Sequence, residues 1–74
     1  MGIRVGMVRE EALAVLRRNH ADVHAEGRGG LPGETSLTAD IPKGHPTKFT
    51  VFLFFSKTGQ VVRATLQDKR FAYI

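Results

Sequence analysis

Phe49-Thr50-Val51-Phe52-Leu53-Phe54-Phe55, then Ser56-Lys57-Thr58-Gly59-Gln60, then Val61-Val62-Arg63-Ala64-Thr65-Leu66, is the stretch that decides how this chain folds. Two runs rich in β-branched and aromatic residues flank five residues of turn chemistry, which predicts a β-hairpin with strands over 49–55 and 61–66. Side chains alternate between faces along a strand, so the register of the pair decides what is buried. With Phe55 opposite Val62, Leu53 faces Ala64 and Val51 faces Leu66, and with Phe49 that face is wholly apolar. A one-residue shift, of the kind a bulged turn at Gly59 produces, sets Arg63 against Leu53 and mixes the faces. The first register is therefore expected.

Working outward, residues 8–19 have a helical period. Ala12, Leu13, Val15 and Leu16 make an apolar stripe, while Arg9, Glu10, Glu11, Arg17 and Arg18 stay polar. Glu10 and Glu11 in the first turn and Arg17 and Arg18 in the last suit the helix macrodipole, each such placement contributing about 0.3–1 kcal/mol. Next, Ala21, Val23 and Ala25 alternate with Asp22, His24 and Glu26, which predicts a short half-buried strand ending at Gly27. Residues 27–33 are too rich in glycine for regular structure and are expected to form a loop. Thr35, Leu37, Ala39 and Ile41 alternate with Glu34, Ser36, Thr38 and Asp40 in a second strand pattern, and 42–46 break the chain again. The expected architecture is α+β: one domain over 1–74, with two layers and an N-terminal helix packed on one face of a three- to four-stranded antiparallel sheet. Ala12, Leu13, Leu16, Phe49, Val51, Leu53, Phe55, Val62, Ala64 and Leu66 are the expected core.

Composition narrows the function classes. The 74 residues hold no cysteine, so no disulfide framework and no thiol nucleophile is available. The net charge of +4 favours anionic partners, but the eleven basic residues are spread along the chain, as on an ordinary solvated surface. The longest apolar run, 51–55, is far short of the roughly 20 residues a membrane-spanning helix needs. Met1-Gly2-Ile3-Arg4-Val5 has no signal-peptide core, so the expected compartment is cytoplasmic if the chain is complete and the cell envelope or periplasm if an export signal was removed.

Val5-Gly6-Met7 directly before a helix, Ala12 and Leu16 within it, Phe52-Leu53-Phe54-Phe55 and then Thr58-Gly59-Gln60-Val61-Val62 together carry a family likeness. In these residues the chain resembles the SmpA/OmlA (BamE-like) family of outer-membrane assembly lipoproteins and the related fold of the β-lactamase inhibitor proteins. The resemblance covers about two-thirds of the chain and implies a non-enzymatic sheet-and-helix adaptor of the cell envelope that binds other proteins. Val8 stands where the family has a Thr or Ser helix cap, and Leu16-Arg17-Arg18-Asn19-His20 replaces Leu-Gly-x-Pro, so Asn19 is the expected left-handed terminator.

Few residues suggest chemistry. On a strand, His20, Asp22 and His24 fall on one face with Glu26 next in line, a ligand set suited to Zn, Ni or Cu. Same-face neighbours are about 6.5–7 Å apart, however, so ligands from one strand converge poorly, and neither a metal nor any other cofactor is expected. There is no Gly-x-Ser-x-Gly elbow and no phosphate-binding loop; Ser56-Lys57-Thr58-Gly59 is turn chemistry, and the single Arg28-Gly29-Gly30 suits a loop better than a nucleic-acid repeat. No enzyme activity is expected. In the chosen register Phe52 and Phe54 point away from the helix, on the same face as Lys48, Thr50, Val61, Arg63 and Thr65. Adjacent phenylalanines there mark an interaction site, with Phe52, Phe54, Arg63 and Lys48 as the partner-binding residues. A protein partner or a second copy of the chain is the first expectation, and cover by the tail 71–74 the next. A nucleic acid, its bases stacking on the rings, ranks behind both.

Overall fold

Arg9–Arg18 forms α1, followed by β1 (Asp22–Arg28), β2 (Thr35–Ile41), β3 (Phe49–Phe55) and β4 (Val61–Asp68). The computed structural model describes residues 2–42 and 48–68. The strands form one antiparallel sheet in the order β1-β2-β3-β4, each beside its sequence neighbour. The helix covers one face, so the α+β, helix-on-sheet architecture expected from the pattern is the one observed, with four strands.

Ala12, Val15 and Leu16 are the buried residues of α1, at the three- and four-residue spacing that makes a stripe. Val8 at the N-cap offers no side-chain hydrogen bond. The hairpin turn supplies the acceptor instead: the Arg9 N–H donates to the Gly59 carbonyl at 2.9 Å. At the other end the expected terminator moves by one residue. Asn19 keeps a negative φ of −94° and donates its side-chain amide to the Val15 carbonyl, while His20 takes the left-handed conformation at φ +57°. Donation from His20 N to Arg17 O and from Ala21 N to Leu16 O completes a Schellman closure, and Ala21 then packs against the core. An L-residue at that φ is strained, so His20→Gly should raise stability by about 0.5–1 kcal/mol in urea unfolding, the relief of strain exceeding the added freedom of the unfolded chain. A loss of stability would show that His20 makes contacts that offset the strain.

The core consists of Ala12, Leu16, Leu37, Ala39, Val51, Leu53, Phe55 and Val61, with Ile3, Met7, Leu13, Ala21 and Ile41 packed around it. Three expected core residues are outside it: Val62 is 37% exposed, Leu66 is 56% exposed, and Ala64 is exposed as well. Phe49 and Leu13 are half-buried. The helix sits over β2 and β3 rather than over the β3–β4 pair, and so buries Leu37 and Ala39 and leaves the far part of β4 open.

The hairpin register explains Val62. Ser56 N donates to Gln60 O, which sets Phe55 opposite Val61, yet from Phe54 onward the pairs are Phe54↔Arg63, Leu53↔Ala64 and Val51↔Leu66. The turn favours one register and the apolar pattern the other, and a bulge between Phe54 and Phe55 reconciles them, with Val62 as the extra residue. The expected pairs of Leu53 and Val51 hold. Val61, expected on the outer face, points into the core at 1% exposure.

A second bulge shapes β1. Val23 pairs with Ala39 but Ala25 with Thr38, leaving His24 as the extra residue. All seven residues of β1 are exposed, so the strand is not half-buried, and it runs on through Gly27 to Arg28. The expected loop over 27–33 is thereby shortened at its start; of the 42–46 break only Pro42 is within the described residues.

Candidate interaction face

Residues opposite each other in an antiparallel sheet share a face, so the register defines the side turned away from α1. Across it run the rows Asp22, Asp40, Thr50, Gln67, then Ala25, Thr38, Phe52, Thr65, then Gly27, Ser36, Phe54, Arg63. Phe52 and Phe54 are therefore neighbours along β3, flanked by threonines and a serine, and both are half-buried. Among the described residues no helix covers them.

Arg63 is the organiser of one end. Its guanidinium lies over the Phe54 ring, 4.3 Å from the centroid, and pairs with the carboxylate of Glu34. Glu34 is buried at 7% exposure and also accepts from the Gly30 N–H at 3.1 Å, while its carbonyl accepts from Gly29 N at 2.7 Å. A Cβ on Gly29 would lie 2.4 Å from the Glu34 carboxylate, so glycine is required for the loop to close there. Leu31, Pro32, Glu34, Ser56, Lys57, Val62 and Arg63 line a shallow recess beside Phe54.

Thr50 anchors the other end: buried on the outer face, it donates to Asp40 Oδ1 at 2.9 Å, and Asp40 Oδ2 lies 3.3 Å from His24 Nε2. The sequence-predicted residues divide accordingly. Phe52, Phe54 and Arg63 come together, whereas Lys48 precedes β3 by one residue, roughly 20 Å along the strand direction from Phe54. Of the His20, Asp22 and His24 set, His20 belongs to the helix exit, whereas Asp22 lies opposite Asp40 on the outer face and His24 reaches that same Asp40. Glu26 falls on the helix side, where it pairs with Arg9. Among the described residues no three His, Asp or Glu side chains stand close enough to hold a metal ion.

No family model, curated protein or solved structure matches the chain. The face is therefore read from its chemistry. Around the two rings it joins aromatic surface, hydroxyl-bearing neighbours and a cation neutralised by Glu34, with the Asp22 and Asp40 row at the far end, which suits a partly apolar contact surface with a polar rim. Glu34 and the Leu31 recess escaped the sequence reading, since an ion pair between residues 34 and 63 leaves no local signal. The tail 71–74, expected as an alternative cover, lies outside the described residues.

Proposed function

We propose that this chain is a non-enzymatic protein-interaction module that receives a protein partner on the outer sheet face, with Phe52, Phe54 and Arg63 at the contact. The observation that carries the reading is the pair of half-buried phenylalanines on the side opposite α1, with Arg63 held over Phe54 by Glu34. Aromatic rings and a pre-positioned arginine are the residue types that dominate protein interfaces, and holding them rigid lowers the ordering cost of binding. The reading agrees with what the resemblance to SmpA/OmlA-type domains implies, a protein-binding adaptor of the cell envelope. Base stacking is the weaker reading, since Arg63 is already paired and Lys48 is remote, which among the described residues leaves Lys57 as the cation near the rings.

The test is Phe52→Ser combined with Phe54→Ser. The change removes two half-buried rings and the stacking of Arg63 on one of them, so the variant should stay folded at a cost of about 2–3 kcal/mol. Protein retained from an extract of the source cells by the immobilised parent should be absent with the variant, at low and high salt alike. Retention of nucleic acid that salt releases steeply would transfer the face to the base-stacking reading. Unfolding of the variant at room temperature would show that the rings belong to the core, ending the proposal.

A further inference from the structure

We propose that two copies of the chain pair antiparallel along the open edge of β4, centred on Thr65, to make one continuous eight-stranded sheet. This goes beyond the outer-face reading and does not depend on it. Among the described residues the sheet has two edges, β1 and β4. The first is guarded by its bulge at His24 and by Asp22, Glu26 and Arg28, the devices that keep an edge from pairing. The second is not. From Arg63 to Asp68 its pairing with β3 is regular, it contains neither proline nor glycine, and its one cation is drawn toward Glu34.

The start of that edge is already occupied. Gly6 N donates to the Val61 carbonyl at 2.7 Å and Val61 N to the Met7 carbonyl at 2.8 Å, so among the described residues the segment before α1 is hydrogen-bonded to β4 at Val61, while Gly2 and Ile3 lie beside Ala64, Thr65 and Leu66 without a backbone bond to them. The part beyond Val61 borders a largely apolar groove walled on one side by Gly2 and Ile3 and on the other by Val51, Leu53, Ala64, Thr65 and Leu66. A second β4 centred on Thr65 places Thr65 opposite its own copy, Ala64 opposite Leu66 and Arg63 opposite Gln67. Leu66 then covers the partner's groove, no like charges are opposed, and the paired stretch stops short of Val61. Moving the centre to Ala64 drives the partner's Gln67 against Val61, whose backbone is already taken. Moving it to Leu66 brings the partner's Asp68 beside Ala64 on the apolar face. In the chosen register both helices lie on one side, and the outer faces join into a single surface carrying Phe52 and Phe54 twice.

Sedimentation equilibrium of the whole chain across the micromolar range should show a dimer. Leu66→Lys should raise its dissociation constant at least about tenfold with an unchanged far-UV spectrum, while Phe52→Ser with Phe54→Ser should leave it dimeric. An independent readout uses the absence of native cysteine. Thr65→Cys should cross-link to a covalent dimer on mild oxidation, because residues directly opposite in an antiparallel pair have Cα atoms about 4.5–5.5 Å apart, within disulfide reach. Gln67→Cys, roughly 13 Å from its own copy in this register, should not cross-link. A monomeric parent, or a dimer that survives Leu66→Lys and gives no Thr65→Cys cross-link, overturns the proposal.

Discussion

Phe55→Ala is expected to cost about 3–5 kcal/mol, and Leu16→Ala and Leu53→Ala about 2–5 kcal/mol each. All three side chains are fully buried and meet in one cluster, where truncation leaves a cavity that neighbours fill only in part. At about 0.05–0.15 kcal/mol per residue, a domain of this size has little more stability than one such change removes. Leu66→Ala is the control. It lies on the same sheet face as Leu53 but is 56% exposed, so its cost should stay under about 1 kcal/mol in a monomeric background. Urea unfolding of the four variants checks this; equal losses for Leu66 and Leu53 would show that the core extends over β4.

Val61→Asp and Val62→Asp should differ sharply although the residues are adjacent and chemically identical. Val61 is buried, and Arg9, which lies over the ring of its cross-strand pair Phe55, is already paired with Glu26; an uncompensated buried charge costs about 3–5 kcal/mol, enough to unfold the chain. Val62, the extra residue of the bulge, borders the recess that also holds Lys57 and Arg63, and an aspartate there should be tolerated within about 1 kcal/mol. Circular dichroism and melting of the two variants decide it. If both unfold, the bulge lies elsewhere.

The helix and all four strands were legible because each rests on a local period: 3.6 in the stripe of Ala12, Val15 and Leu16, and two in Leu37 and Ala39 or in Val51, Leu53 and Phe55. The choice between Val61 and Val62 was not. The turn and the apolar pattern each specify a register, they disagree by one residue, and only the three-dimensional pair shows where the disagreement is absorbed. Nor could the helix be placed over the sheet. A helix about 10 Å across covers about two strands at 4.8 Å spacing, and alternation in β2, β3 and β4 offered it more than one pair. Of the interaction face, Phe52, Phe54 and Arg63 followed from parity along two strands. Glu34, which fixes Arg63, depends on where a glycine-rich loop closes, and residue spacing carries no information about that.

The bonds that join Gly6, Met7 and Arg9 to Val61 and Gly59 also order events during synthesis. The first amide of α1 leaves the ribosome early, but the carbonyl that receives it is made 50 residues later. At roughly 5–20 residues per second, that is a wait of about 3–10 s, during which the helix lacks its cap. Contacts so distant in sequence form slowly even once both ends exist. α1 therefore gains its cap only once the turn between β3 and β4 has been made, and a ribosome stalled before Gly59 would carry an uncapped helix, more open to proteases and chaperones.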